Sequence, residues 1–273
     1  MSAMQDLIQA SKKMTRRQLL MNGAWALTGC LLGFSGLPPA FAGQAADFDS
    51  SRPAKLALII DDIGYSRSVA RQFCDLNLTL TFSILPRLAY SNALALELQN
   101  EGYEIMLHQP MEPYNSCCDP GPGALYVGDN AKKIERILAQ NIESLPAATG
   151  INNHMGSRFT ASAEEMDRTI KVIKSRRLFF IDSVTSSHSV AYQTARKYHL
   201  SAGHRHVFLD NTRSVPAVLC RLHQLKQHAV RYGRAIGIGH PHLETISALA
   251  RFSKRLRRSN VSLVHASQIL FSA

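Results

Sequence analysis

From Lys55 onward the chain repeats one unit: a short apolar run rich in β-branched or large aliphatic residues, a polar or proline-containing loop, and a longer amphipathic stretch. No other feature restricts the fold as much. Strands that are apolar throughout and alternate with helices pair in parallel and keep their helices outside. The strand candidates are Lys55–Ile60, Thr79–Leu85, Tyr103–Leu107, Thr149–Asn153, Leu178–Ile181, a weak one near Val207–Leu209, Ala235–Gly239 and Val261–Val264. Helical patterns lie between them at Ser91–Glu101, Asn130–Ser144, Ala163–Ser175, Ser189–Tyr198, Val215–Tyr232 and Leu243–Leu256. The expected architecture is α/β, a distorted (β/α) barrel with a mostly parallel sheet.

Chemically active residues fall just after these runs. Asp61 and Asp62 follow Ile60, Pro86 follows Leu85, His108 follows Leu107, His154 follows Asn153, Asp182 follows Ile181, Asp210 follows Leu209 and His240 follows Gly239. Counted from Asp62 the steps are 24, 22, 46, 28, 28 and 30 residues, so all but one match a single βα unit. In a parallel barrel the C-terminal strand ends open on one face, and residues far apart in sequence converge there. The long step contains Tyr114–Gly128, a Cys/Pro/Gly-rich loop expected over the same face as a lid or rim.

Adjacent carboxylates at a strand end repel and resist burial. Alone, Asp61-Asp62 reads equally well as an exposed turn with a helix cap, and a lone histidine such as His108 or His154 is more often structural. Together, Asp62, His108 and His154 form a set of two histidines and one carboxylate, which leaves positions open for water and substrate as a catalytic metal requires. Non-haem iron oxygenases use the same ligand set, but the βα rhythm and the extra Asp61 fit hydrolysis better. A bound cation would relieve the repulsion and leave Asp61 as a base. His240 lies in Ile236-Gly237-Ile238-Gly239-His240-Pro241-His242. It can give a proton to a leaving group, with His242 a less favoured candidate.

The N-terminus reads as a leader. Lys12, Lys13, Arg16 and Arg17 precede an uncharged apolar run from Leu19 to Leu37, and Ala40-Phe41-Ala42 supplies a small-x-small cleavage site. Residues 1–42 are therefore expected to be a signal peptide, with Thr15-Arg16-Arg17-Gln18-Leu19-Leu20 resembling a twin-arginine export signal. Residues 43–53 read as a linker and 54–273 as one domain. The expected location is periplasmic or secreted; lipid anchoring through Cys30 is the less favoured ending, because the chain stays apolar beyond it. The whole chain has 31 basic and 20 acidic residues; the leader holds four basic ones and Asp6, leaving 27 against 19, a net +8. Part of that excess is Arg251, Lys254, Arg255, Arg257 and Arg258, at helical spacing. It reads as a solvated helix face or as weak attraction to an anionic envelope surface. Nucleic acid is disfavoured by export and by the lack of interleaved aromatics. Cys74, Cys117, Cys118 and Cys220 contain no CxxC pair, which argues against a structural zinc site and leaves any disulfide pairing open.

Several segments carry a resemblance: Ile59-Ile60-Asp61-Asp62-Ile63-Gly64, Phe82-Ser83-Ile84-Leu85-Pro86, Gly102-Tyr103-Glu104-Ile105 through His108-Gln109-Pro110-Met111-Glu112-Pro113, Asn152-Asn153-His154-Met155-Gly156-Ser157, Phe180-Ile181-Asp182-Ser183, Val207-Phe208-Leu209-Asp210-Asn211 and Gly239-His240-Pro241. In this order, over nearly all of residues 54–270, they resemble the divergent polysaccharide deacetylase family, the YibQ-like proteins. The resemblance implies a barrel of the carbohydrate esterase kind, Asp61 as catalytic base, Asp62 as metal ligand and His240 as general acid. In ordinary polysaccharide deacetylases a second metal-binding histidine follows the first by four residues; Glu112 stands there, and His154 is the residue expected to supply the missing ligand. The family's arginine motif is not evident, though Arg158 lies near its place. Arg158, Asp182 and Asp210 are expected to orient the site or touch sugar. The implied reaction is metal-dependent removal of acetyl groups from an acetylated glycan or peptidoglycan fragment, with zinc the expected ion. The rival reading is a non-catalytic glycan-binding or scaffold protein on the same fold.

Overall fold

A computed structural model describes residues 53–256 and 259–270. The leader and most of the linker lie outside these residues. The elements run β1 (Ala54–Ile63), α1 (Arg67–Cys74), β2 (Thr81–Ile84), α2 (Ser91–Asn100), β3 (Glu104–Met111), α3 (Ala131–Glu143), β4 (Gly150–Met155), α4 (Ala163–Ser175), β5 (Phe179–Asp182), α5 (Ala191–Lys197), β6 (Ala202–His204), β7 (Val207–Phe208), α6 (Val215–Tyr232), β8 (Arg234–Gly239), α7 (Leu243–Leu256) and β9 (Val261–Leu263). Two elements have no counterpart in the sequence reading. Helix α1 is short, and β6 spans three residues with no apolar run to announce it. Strand β3 also continues through Pro110, where the apolar run ends at Leu107.

All strand pairs are parallel, in the order β6-β5-β4-β3-β2-β1-β8-β7, so the fold is the curled (β/α) barrel expected from the sequence. The two edge strands are consecutive in the chain. At this seam the Arg205 N–H donates to the Asp182 carbonyl of β5, and the His206 N–H donates to the Ile236 carbonyl of β8. Strand β9 pairs with the first residues of β1, beside the place where β2 joins further along.

Side chains alternate across each strand. Leu56, Leu58 and Ile60 of β1 join the larger core beneath the helices. Ala57 and Ile59 point the other way and meet Met106, Phe179, Ile181, Ile236 and Ile238 inside the barrel. Ala266 and Ile269, from the turn after β9, complete this inner cluster. Burial of these apolar faces is the main favourable term in the fold, at roughly 25 cal/mol per Å².

The seam carries a pH dependence. His206 Nδ1 accepts the Ile236 N–H at 3.0 Å, so this ring is held neutral. Burial first, then the charges of His204, His228 and Arg234, push its pKa down to about 3. In the unfolded chain it titrates near its ordinary value, about 6.5. Between those values the unfolded state binds more protons, so the stability contribution is complete above pH about 6.5 and is lost as pH falls toward about 3. Urea unfolding at pH 7.5 and 4.5 should show a smaller loss of stability in His206→Asn than in the parent; equal losses would mean that another group controls the acid limb.

Candidate active site

The same alternation that fills the barrel places its polar mouth. Going up β1, inward positions 57 and 59 are followed by Asp61; on β3, 106 by His108; on β8, 236 and 238 by His240. His108 pairs in register with Asn152 of β4, and His154 lies two residues further along that strand. An apolar interior is therefore capped by a titratable layer.

Asp62 breaks the alternation. Strict pleating would send it toward the helices, yet the β1–β2 register shifts between Ile60 and Ile63, and Asp62 takes a left-handed φ of 56°. Both carboxylates thereby reach the mouth, at a backbone cost on the order of 1–3 kcal/mol. Met155, after His154, is also left-handed at φ 50°. The next residue, Gly156, has φ 80°, and a Cβ there would come within 2.8 Å of the Met111 Cβ. Only glycine fits that turn without strain.

Three ligand atoms converge at the mouth. Asp62 Oδ1 lies 3.1 Å from His108 Nε2 and 2.9 Å from His154 Nδ1, and the two nitrogens are 3.2 Å apart. Despite these distances, the buried Oδ1 receives no aligned hydrogen bond. Donors of a tetrahedral zinc site, at about 2.0–2.1 Å from the ion, lie about 3.3 Å from one another. The orphaned oxygen and the near-equilateral triangle fit a divalent cation better than a hydrogen-bond network. His108 is oriented for that purpose: its Nδ1–H donates to Asn152 Oδ1 at 2.7 Å, leaving the Nε2 lone pair toward the cluster.

Asn152 joins His108 to Asp61. Its Oδ1 also accepts from Ser83 Oγ at 2.5 Å, and its Nδ2 donates to Asp61 Oδ1 at 2.8 Å. Asp61 Oδ2 faces His108 Nε2 at 3.6 Å. Burial raises the Asp61 pKa despite the opposing pull of His108 and His240. At Asp62 burial acts in the same direction, but the contacts and charges of His108 and His154 outweigh it and hold the carboxyl far below the usual range. Neighbouring carboxylates pushed in opposite directions mark a division between ligand and base.

Across the mouth, His240 Nδ1–H donates to Asp210 Oδ1 at 2.9 Å, and Asp210 Oδ2 accepts from the His240 N–H and from Thr245 Oγ1. His240 Nε2 is thus left facing the cluster, 3.9 Å from Asp62 Oδ2. Burial alone would lower the His240 pKa; the bond to Asp210 and the charges of Asp61, Asp210 and Asp62 raise it to about 9. Phe208 packs on the imidazole with ring centroids 5.0 Å apart, and the Arg205 guanidinium lies over Phe208 at 5.1 Å. His242 sits with its ring 6.0 Å from that of His240.

The remaining residues singled out in the sequence divide. Asp210 orients His240 as described. Asp182 does not reach the mouth: it faces outward and accepts from Val184 N, Ser189 Oγ and Tyr192 N, ordering the loop after β5. Glu112 accepts from Val127 N and from Arg158, so this acid and base hold the long loop and each other. That loop is a fixed rim, for its Gly123 carbonyl is gripped by Gln109 and Asn141, and its Gly128 N–H by Glu165. Asn152, Ser83, Phe208 and Arg205 were not foreseen. For Asn152 the spacing two before His154 was a usable signal; the others carry none.

Fold and site together define a carbohydrate-esterase-like (β/α) barrel with a possible metal-binding triad at its mouth. The divergent polysaccharide deacetylase family model matches residues 58–270. The uncharacterized protein YibQ of Escherichia coli K12 is 31% identical over 232 residues, covering 85% of this chain and 72% of its own. The chain belongs to this family. A crystal structure of an uncharacterized protein from Agrobacterium tumefaciens C58 has a TM-score of 0.75 at 25% identity, covering 87% of this chain and 97% of that one. Two more distant structures share the fold. The catalytic domain of a peptidoglycan N-acetylglucosamine deacetylase from Eubacterium rectale has a TM-score of 0.52 at 11% identity, covering 81% of this chain and 93% of that one. A pseudoenzyme of carbohydrate esterase family 4 from Bacillus anthracis has 0.51 at 12%, covering 81% and 66%. One fold hosts both kinds of protein, so function has to be argued from side chains.

Asp210 controls the protonation of His240. In chelator-treated protein the His240 imidazole should titrate near 9, and Asp210→Asn should bring it down toward about 6.5. Proton NMR of the ring resonances reads this directly, and an unchanged titration would remove Asp210 from its role.

Proposed function

We propose that the protein is an exported, metal-dependent hydrolase that removes acetyl groups from a cell-envelope glycan. The observation that carries this reading is the triangle of Asp62, His108 and His154, one vertex of which is an orphaned buried oxygen, flanked by a raised carboxyl on one side and an Asp210-bound imidazole on the other. The family and the deacetylase that shares the fold support acetylated carbohydrate as the substrate class. Export is supported by the basic stretch, apolar run and small-x-small site at residues 12–42.

Asp62, His108 and His154 would hold the cation, and two imidazoles with one carboxylate suit zinc. A divalent ion there supplies Lewis acidity, polarising an acyl carbonyl and making water a stronger acid. The chain's own groups perform the proton transfers. Asp61, anchored through Oδ1 by Asn152, accepts a proton from the attacking water as its oxygen bonds to the acyl carbon. When the bond to the sugar nitrogen or oxygen breaks, His240 Nε2 delivers a proton to the leaving atom. Asp210 keeps that imidazole charged and correctly turned until then. The products are acetate and the deacetylated sugar.

The rival is a glycan-binding protein without turnover, and the observation behind it is Glu112 in place of the second histidine. The structure gives Glu112 a different partner, Arg158, and seats His154 on the triangle.

Asp61→Asn should retain the metal and lose about 10²–10⁴-fold in turnover, as removal of a general base does. His108→Ala and His154→Ala should lose the metal itself. Metal analysis and acetate release from chitooligosaccharides and peptidoglycan fragments check both statements. Full metal stoichiometry in both histidine variants would sink the ligand assignment; glycan binding without acetate release, with or without added zinc, would establish the rival.

A further inference from the structure

In a parallel barrel every helix runs from the mouth back to the base, because it joins the end of one strand to the beginning of another. Helix α6 leads to the first residue of β8, and α7 leads to β9, whose Val261 pairs with Ala54 at the start of β1. The C-terminal halves of both helices therefore lie at the base, opposite the catalytic mouth. The two helices pack against each other, with the His223 ring on Phe252 at 5.9 Å.

The charge of this part of the sequence is unlike the rest of the domain. Between Asn211 and Ala273 the sequence has ten Lys or Arg residues against one carboxylate, Glu244. Between Ala54 and Asp210 the two signs balance, and Arg67, Arg71, Lys133, Arg158, Arg168, Lys171 and Lys197 each meet an Asp or Glu. On α6 and α7 no carboxylate pairs with Lys226, Arg231, Arg251, Lys254 or Arg255 among the described residues. Arg251, Lys254 and Arg255 share one exposed face at i, i+3 and i+4, where like charges repel. Two large apolar side chains stay in solvent at the end of α6, Val230 at 53% and Tyr232 at 54% exposure, and the Arg231 guanidinium lies over the Tyr232 ring at 5.2 Å.

From this we infer that the α6–α7 base is a docking surface for an anionic phospholipid bilayer, with the mouth held facing away from the lipid. Cations near such a surface each contribute about 1 kcal/mol of attraction, and an interfacial tyrosine with an apolar neighbour suits the headgroup boundary better than it suits a soluble polyanion. The inference does not depend on the catalytic reading, since no mouth residue takes part.

The test uses the full chain and vesicles of phosphatidylcholine with or without about one third phosphatidylglycerol, at about 0.1 M salt, where charges act over about 10 Å. The parent should partition to the anionic vesicles about tenfold or more better than to neutral ones, and lose that preference at about 0.5 M salt. Lys226→Glu/Arg231→Glu/Lys254→Glu/Arg255→Glu should lower the anionic partition about tenfold or more while leaving the neutral one unchanged. Residues 1–52 are identical in every arm, so they cancel from the ratio. Equal partition to both vesicle types, indifference to salt, or an unaffected quadruple variant would overturn the inference. So would binding to dextran sulfate with no preference for anionic vesicles. If the quadruple variant fails to fold, Lys254→Gln/Arg255→Gln, which removes two exposed charges without reversing them, should still lower the anionic partition severalfold relative to the parent, and an unaffected pair would overturn the inference.

Discussion

Two adjacent carboxylates with neighbouring imidazoles at the top of an apolar barrel are the constraint on which the rest of this structure depends. Asp61 is 2% exposed and His108 1%, so neither is solvated well enough to carry charge without a partner. Asp62 adds a second negative group next in sequence, and its left-handed backbone costs further free energy. Such an arrangement persists only when something compensates. The imidazoles do part of this, and a cation seated among Asp62, His108 and His154 would do the rest, satisfying an oxygen that otherwise has no donor. Evolution could have removed this burden with apolar residues of similar volume. A purely structural role would be met at lower cost by such residues.

The barrel makes this arrangement possible at low cost elsewhere. Parallel pairing sends all C-terminal strand ends to one side, while the inner cluster from Ala57 to Ile269 gives the layer below a dry, rigid support. Asn152 carries that rigidity to the mouth, since one amide fixes His108 through its oxygen and Asp61 through its nitrogen. The two side chains therefore cannot be displaced independently. On the far side Asp210, Thr245 and Phe208 do for His240 what Asn152 does for the other pair. Two separately anchored halves face each other, with His240 Nε2 3.9 Å from Asp62 Oδ2.

Much of this was legible in the sequence because the chemistry sits at strand ends and strand spacing is regular. The regular steps from Asp62 to His240 placed the barrel and its mouth. What the steps could not convey is parity. Asp182 and Asp210 both follow apolar runs, but Phe179 and Ile181 point inward, which turns Asp182 outward to its loop. Counting in twos from the inner residues would have separated them. Asn152 and Ser83 were harder, as an amide and a hydroxyl have no signature until their partners are in place. Strand β6 was invisible for a different reason: Ala202, Gly203 and His204 gain strand geometry from β5, not from their own propensity.

Position 112 shows how donor atoms can converge without the residue that a motif would require. A ligand set is defined by where donor atoms converge, and one vertex of a triangle can be reached from a neighbouring strand as well as from the same loop. Here β4 runs beside β3 in register, and Met111 pairs with Met155, so His154 approaches the cluster from next to the position that Glu112 vacates. The left-handed Met155 and the glycine after it turn the chain away immediately beyond the ligand. Glu112 is thereby released to grip Val127 and Arg158, and the rim loop is tied to the strand that carries His108. Glu112 and the fixed rim belong to one arrangement, in which the residue after β3 ties down the loop and β4 supplies the second nitrogen of the triangle.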